Sequence, residues 1–229
     1  MDWIFKICNF LIGTCLASHA CVIVERMEKE DFIFSRSKCI NCNQQLNLYD
    51  EIPLFSYLLL KGRCRYCKTQ IPAEYFITEF LGGFAFLKIN FGNTHSAITA
   101  IVLFNILLAA ISDYQAKEFD IAFVAPALFI SALRLIKTFH QINITDLVEF
   151  CPIFLLFLYE TIKKKIGKGD LIIYLVLAFC FDPKFANLTF LSGSIVLLGF
   201  FISGEVNQKE PVAFIPFIYI GLIIQLLSN

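Results

Sequence analysis

The stretch Ala97-Ile-Thr-Ala-Ile-Val-Leu-Phe-Asn-Ile-Leu-Leu-Ala-Ala-Ile-Ser112 contains no charged residue and is followed directly by Asp113. Stretches 185–203 and 211–227 are also uncharged. A helix needs roughly 17–25 mostly apolar residues to cross the hydrocarbon core of a bilayer. Each of these stretches therefore predicts a membrane-spanning helix. The composition agrees, because 58% of the residues are hydrophobic and only 17% are charged.

Further apolar runs along the chain have a similar length but carry one or two ionisable residues each. Together they predict about eight spans, at residues 3–24, 73–91, 97–113, 119–136, 146–162, 169–187, 188–203 and 211–228. The first of these is expected to be a retained helix, since its apolar run is longer than that of a signal peptide. The predicted fold is an all-α, polytopic transmembrane helical bundle.

One long polar segment interrupts the apolar runs. The predicted domains are a first transmembrane helix at 1–25, a polar loop at 26–71 and a transmembrane domain at 72–229. Most of the 19 lysines and arginines fall in this loop or in segments on the same predicted side of the membrane. The positive-inside rule therefore predicts that the loop is cytoplasmic and that the N-terminus is outside.

Two Cys-x-x-Cys pairs lie in this loop, Cys39-Ile-Asn-Cys42 and Cys64-Arg-Tyr-Cys67. Four thiolates at this spacing can close a tetrahedron, which is the pattern of structural zinc sites. A cytoplasmic location disfavours disulfides, although two disulfides or a redox pair are alternatives. A four-sulfur site leaves no open position for water, so a zinc ion here is expected to be structural.

Two aspartates lie at the predicted cytoplasmic ends of different spans. Asp113 follows the uncharged run 97–112, and Asp170 ends the sequence Gly167-Lys-Gly-Asp170. Two carboxylates at one membrane depth can share a proton, so that one activates water and the other donates a proton to the scissile amide. The alternatives are that Asp170 is a helix N-cap and that Asp113 marks a helix end at water.

Three other residues are candidates for shaping a site near these acids. Gly167 and Gly169 permit backbone conformations and close approaches that other residues do not. Glu79 is an ionisable residue within a predicted span, and such residues are functional candidates.

These features together resemble the type IV prepilin peptidases, also called leader peptidases/N-methyltransferases. The similar motifs are Gly13-Thr-Cys-Leu-Ala-Ser18 and Val24-Glu-Arg26, then the two cysteine pairs with Tyr49-Asp-Glu-Ile-Pro53, Ser56-Tyr57 and Gly62-Arg63 between them, and then Ile71-Pro72, Tyr75 and Glu79. Gly167-Lys-Gly-Asp170 resembles the motif of the family's second catalytic aspartate. Asp113 falls where the first is expected.

The resemblance implies an aspartyl endopeptidase in the bacterial cytoplasmic membrane. It would remove the leader peptides of prepilins or pseudopilins after a glycine on the cytoplasmic side, in pilus, secretion or DNA-uptake systems. Many members also methylate the new N-terminus with S-adenosylmethionine, for which no binding site is readable here. The partners implied are the precursor peptides and the lipid bilayer. Nothing in the charge pattern indicates nucleic acid.

The chain departs from the family's pattern in three places. The family usually has Pro-Asp shortly after the first aspartate, where this chain has Tyr114-Gln-Ala-Lys-Glu-Phe-Asp120. A lysine often stands where Ile173 is found, and Pro216-Phe-Ile-Tyr219 replaces Pro-Phe-Gly-Pro. Neither of the two expected catalytic aspartates is lost, and the departures leave open an altered substrate preference or a reduced activity.

Two other classes of function compete with the peptidase. A non-enzymatic membrane scaffold whose zinc loop docks a partner would need the cysteines but neither aspartate. A zinc metallopeptidase is disfavoured, because the chain has no His-Glu-x-x-His motif.

Overall fold

The computed structural model describes residues 2–27, 36–117, 120–138, 140, 143–204 and 212–228. Residues 28–35 of the predicted loop and the predicted first residues of two spans, 119 and 211, lie outside these ranges. The described residues contain nine α-helices and no β-strand: α1 (Asp2–Arg26), α2 (Phe55–Leu59), α3 (Ala73–Phe86), α4 (Thr94–Ala116), α5 (Ala125–Thr138), α6 (Ile144–Ile162), α7 (Lys168–Cys180), α8 (Pro183–Ile202) and α9 (Ile215–Ser228). The all-α prediction is therefore confirmed.

Three of these helices are long and apolar enough to cross a membrane by length and composition, namely Trp3–Arg26, His95–Ala116 and Pro183–Ile202. Each of the eight predicted spans corresponds mainly to one of the eight helices other than α2, with shifted ends. Five of these eight are too short or too polar to satisfy the same criterion. The count of eight spans therefore stays a prediction.

The boundary between the sixth and seventh predicted spans differs from the sequence prediction. Helix α7 ends at Cys180 and α8 begins at Pro183, whereas the predicted spans met at residues 187 and 188. The Asp182 side chain accepts a hydrogen bond from the Phe185 N–H at 2.7 Å, and Pro183 occupies the first turn. Aspartate before a helix and proline at its start are both favoured, so these residues start the helix earlier than hydropathy indicated.

The chain forms two compact units, Met1–Lys88 and Ile89–Asn229. In the first unit, α1 and α3 run antiparallel and pack against each other. Their closest approach is at Gly13 and Gly82, where an added Cβ on either would overlap the other helix. The Phe10 ring packs edge-on against Phe84, with 5.5 Å between ring centroids. Small residues at such crossings bring two helix backbones into direct contact.

The second unit contains α4 to α9 around an aromatic core. Tyr174 of α7 is fully buried, and its ring packs against those of Phe157 and Phe190, with centroid distances of 5.3 and 5.6 Å. Its hydroxyl donates to Asn187 Oδ1 at 2.9 Å. The Asn187 amide then donates to the Glu149 carbonyl at 3.0 Å. This chain of bonds satisfies the polar groups and joins α7, α8 and α6.

Two glycines of α8 provide a matched test of helix packing in this unit. A Cβ on Gly193 would lie 2.7 Å from the Phe217 carbonyl oxygen of α9, whereas a Cβ on Gly199 would meet no atom within 4 Å. We expect Gly193→Ala to destabilise the protein by about 1–3 kcal/mol, because backbone atoms must move. Gly199→Ala should be neutral or slightly stabilising, since alanine favours helix. Thermal unfolding in detergent measures both variants, and equal melting temperatures would contradict this account of the contact.

Candidate active site and cysteine cluster

The four cysteines of the loop converge on one point in the first unit. Their Sγ atoms lie within 4.8 Å of one another, and all four are free thiols. Cys39 Sγ and Cys67 Sγ are 3.8 Å apart, well beyond the roughly 2.05 Å of a disulfide bond. Four sulfurs about 2.3 Å from a central zinc ion would be separated by about 3.8 Å. The donor set and its spacing therefore fit a tetrahedral metal ion.

Each cysteine pair is held by the same backbone turn. The Cys39 N–H donates to the Gln44 carbonyl at 3.0 Å, and the Cys64 N–H donates to the Thr69 carbonyl at 2.9 Å. One residue after the second cysteine of each pair, Asn43 and Lys68, has a left-handed backbone with φ of 54° and 60°. The turn thus folds back within six residues and aims both thiols of a pair at the same point.

Hydrogen bonds around Cys39 and Cys67 favour the charged thiolate that binds metals, whereas burial and these two neighbouring cysteines raise the pKa of the Cys42 thiol to about 11. The Thr69 hydroxyl and backbone N–H lower the pKa of the Cys67 thiol to about 5. The backbone N–H of Cys42 lowers the pKa of Cys39. Because the thiolate is the metal ligand, these contacts prepare the cluster for a cation.

The second cysteine pair is also fixed to the segment between the pairs. Arg65 donates to Asp50 through Nε and Nη2, with distances of 3.0 Å and 2.7 Å to Asp50 Oδ1. The Asp50 side chain is only 2% exposed, whereas that of Arg65 is 48% exposed. A guanidinium that donates several hydrogen bonds to one carboxylate fixes the relative orientation of the two side chains as well as their distance.

Glu79 joins the loop to α3. Its Oε2 accepts a hydrogen bond from the Leu54 N–H at 2.8 Å, and the Ser18 side chain of α1 also bonds to it. Leu54 has a φ of 60°, a conformation that a leucine rarely adopts. The carboxylate therefore fixes a strained turn of the loop against the α1–α3 pair. The sequence singled out Glu79 but not the backbone group that it binds.

In the second unit, Asp113 lies in the last turn of α4. Its Oδ2 accepts a hydrogen bond from the Ile215 N–H at 3.1 Å, and the Phe214 backbone also bonds to it. These groups form the start of α9, whose free N–H groups favour a carboxylate. Helix α4 continues to Ala116, so Asp113 does not simply end the helix at water. The contact with α9 joins residues 102 positions apart, and no local sequence signal marks it.

Asp170 lies in the first turn of α7 and is 8% exposed. Its Oδ2 accepts a hydrogen bond from the Gly167 N–H at 3.2 Å. The N-cap is therefore Gly167 rather than Asp170, and Asp170 reaches back to it from the third helical position. A Cβ on Gly167 would lie 3.3 Å from that oxygen, so a larger residue would crowd the carboxylate. Gly169 is buried beside it.

Asp113 and Asp170 both lie in the second unit, within electrostatic range of each other. They come from different helices, and each is held by the N–H groups at the start of a helix. Two carboxyl groups that backbone N–H groups hold within range of each other can share a single proton.

Comparisons with known proteins agree with the motifs. The profile of the Bacterial Peptidase A24 N-terminal domain matches residues 11–91. The chain is 34% identical over 108 residues to a prepilin leader peptidase/N-methyltransferase of Myxococcus xanthus, covering 46% of this chain and 32% of the relative. Proteins of the same name from Burkholderia pseudomallei and Bacillus subtilis are 29% and 27% identical, over 81% and 84% of this chain.

The chain spans different shares of these relatives, from 32% of the Myxococcus xanthus protein to 65% of the Burkholderia pseudomallei protein and 81% of the Bacillus subtilis protein. No solved structure gives a significant match. The matches confirm the resemblance that the sequence motifs predicted.

The Arg65–Asp50 pair predicts a measurable loss of order in the loop. Arg65→Ala would leave the buried Asp50 carboxylate without the three hydrogen bonds that the guanidinium donates, and this loosens the segment that the pair holds. We expect faster hydrogen exchange of amides at 48–51 and 62–67, and no comparable change in Arg63→Ala, whose side chain is also exposed and lies two residues earlier. The double variant Asp50→Ala with Arg65→Ala should recover part of the loss. If the increase in exchange of the double variant equals the sum of the increases in the two single variants, the two side chains do not act as a direct pair.

Proposed function

We propose that this chain, a relative of the prepilin leader peptidases, is a membrane aspartyl endopeptidase that removes leader peptides from prepilins or pseudopilins. The observation that carries the proposal is the pair of carboxylates, Asp113 and Asp170, which different helices hold within electrostatic reach of each other. The peptidase names of the relatives support the same class of reaction. A bacterial inner-membrane location with the cysteine loop in the cytoplasm is part of the proposal and rests on the distribution of lysine and arginine.

The hydrogen-bond partners of the two aspartates indicate which is the general base and which is the general acid. Asp113 accepts hydrogen bonds from two backbone N–H groups at the start of α9, whereas Asp170 accepts one, from Gly167, and such bonds favour the charged form of a carboxyl group. Asp113 is therefore the general base, which takes a proton from water as the water oxygen bonds to the scissile carbonyl carbon. Asp170 is the general acid, which donates its proton to the amide nitrogen as the carbon–nitrogen bond breaks. Proton exchange between the two acids restores the starting state.

Other residues in the proposal have supporting roles. Gly167 and Gly169 keep the backbone close to Asp170 without side chains, and this leaves room for the extended peptide. Glu79 shapes the loop by holding the Leu54 turn. In the first unit, Cys39, Cys42, Cys64 and Cys67 hold a structural zinc ion. The ion would supply folding energy to a loop with little apolar core, and it takes no part in hydrolysis.

Methylation is the second part of the proposal. The relatives carry N-methyltransferase in their names, and S-adenosylmethionine would be the methyl donor for the new N-terminus. This part rests on those names alone.

Substitution of the aspartates tests the mechanism. We expect Asp113→Asn and Asp170→Asn each to reduce prepilin cleavage in membranes by about 10²-fold or more, because each removes a proton-transfer group. Asp146→Asn is a matched control, since Asp146 occupies the third position of α6 and accepts from the Asn143 N–H at 3.0 Å, as Asp170 does in α7. Its cleavage rate should stay close to that of the parent. Cleavage that survives either active-site substitution would exclude the carboxylate pair, and parent protein inactive on several prepilins would favour the scaffold function.

Metal analysis tests the cysteine cluster separately. The purified protein should contain about one zinc ion per chain, as expected for a four-cysteine site. Cys42→Ser and Cys67→Ser should lose it, whereas Cys8→Ser, in the exposed part of α1, should retain it. Zinc content that does not depend on the loop cysteines would contradict the site.

A further inference from the structure

The part of the loop between the cysteine pairs has an unusually apolar surface. Within residues 52–59, four large side chains are 45% to 80% exposed: Ile52, Phe55, Leu58 and Leu59. We call residues 52–59 the apolar segment; it contains α2. Several exposed apolar side chains in a short segment mark a surface that lipid or another molecule covers.

The depth of the apolar segment along the α1–α3 pair identifies what covers it. Leu54 is bonded to Glu79, which lies six residues after the start of α3, or about 9 Å along its axis. The Ser18 partner of Glu79 lies eight residues before the end of α1, or about 12 Å from it. Within the same unit, Tyr57 packs on Phe76 in the first turn of α3, with 5.1 Å between ring centroids. The apolar segment therefore lies beside the first two turns of α3 instead of beyond the helix ends.

Helix α1 is long enough to cross a membrane, so distances along it measure membrane depth. Headgroup layers are only about 5–8 Å thick on each side of the hydrocarbon core. A segment held about 9–12 Å inside the helix ends would lie at the boundary between headgroups and acyl chains. Apolar side chains that point away from the helix pair at this depth would face lipid.

The charges beside the apolar segment fit this placement. Residues 36–72 contain six basic residues and only two acidic ones, of which Asp50 is paired with Arg65. Lys61, Arg63 and Lys68 line an open cleft directly after the apolar segment, next to Cys64. Exposed cations next to apolar residues are the pattern of segments that bind anionic membrane surfaces.

We propose that the apolar segment, residues 52–59, inserts into the lipid interface on the loop's side of the membrane, with Lys61, Arg63 and Lys68 at the level of anionic headgroups. The loop is thus held at the bilayer by contacts of the apolar segment with lipid, in addition to its connections to α1 and α3. Glu79 sets the depth of insertion by holding Leu54. This inference does not depend on the proposed peptidase activity.

Tryptophan fluorescence in vesicles tests the insertion. The chain has one tryptophan, Trp3, so the parent for the experiment is Trp3→Phe. Leu59→Trp and Ile40→Trp are matched probes, because Leu59 and Ile40 are 80% and 78% exposed but only Leu59 belongs to the apolar segment. Ile195→Trp in α8 is the lipid-facing reference, with 61% exposure at the native residue. The full chain is reconstituted in phosphatidylcholine–phosphatidylglycerol vesicles with or without bromine at the upper acyl carbons.

We expect bromine to quench Leu59→Trp at least twofold more than Ile40→Trp and to about the same extent as Ile195→Trp. Leu58→Trp is a second probe in the apolar segment and should behave like Leu59→Trp, so that one misfolded variant does not decide the result. Equal quenching at positions 40 and 59 would overturn the proposal. Tryptophans at 58 and 59 that lipid bromine does not quench, but whose emission shifts on adding a prepilin, would overturn it in favour of a peptide-binding surface.

Discussion

The need to satisfy backbone hydrogen bonds away from water governs this molecule. In a bilayer an unpaired N–H or C=O group costs several kcal/mol, and most of the described residues outside the loop are helical. The first N–H groups of each helix remain without an intrahelical partner. In this chain, side-chain oxygens meet that need at several starts. Asp182 does so for α8, Asp146 and Asp170 for α6 and α7, and Asp113 for α9 from a different helix.

The proposed catalytic acids are thus also structural groups. The bond from Ile215 to Asp113 holds α9 to α4, and the bond from Gly167 to Asp170 completes the first turn of α7. The hydrogen bonds that these carboxylates accept restrict the rotation of their side chains. The same bonds therefore keep each carboxylate in the orientation that catalysis would need. This double use explains why a neutral, isosteric asparagine is a better probe of the mechanism than alanine, which would also remove the acceptor oxygen.

Sequence reasoning was most successful where the signal was local. The uncharged run 97–112 became most of α4, and the cysteine spacing led to four sulfurs within 4.8 Å. It placed the α7–α8 boundary wrongly, because hydropathy does not detect the Asp182-Pro183 start inside a continuous apolar stretch. It also had no means of finding the bonds from Ile215 to Asp113 and from Leu54 to Glu79. In both, one partner is a backbone N–H, whose residue type carries no information.

The glycine contact between α1 and α3 limits how this helix pair can move. At Gly13 and Gly82 one backbone touches the other, with no side chain between them to change rotamer. Sliding α3 by one turn would bring Thr78 or Phe86 to the level of Gly13, and neither could fit where a Cβ already overlaps. The pair therefore has a single axial register, and a piston-like stroke of one helix along the other is blocked.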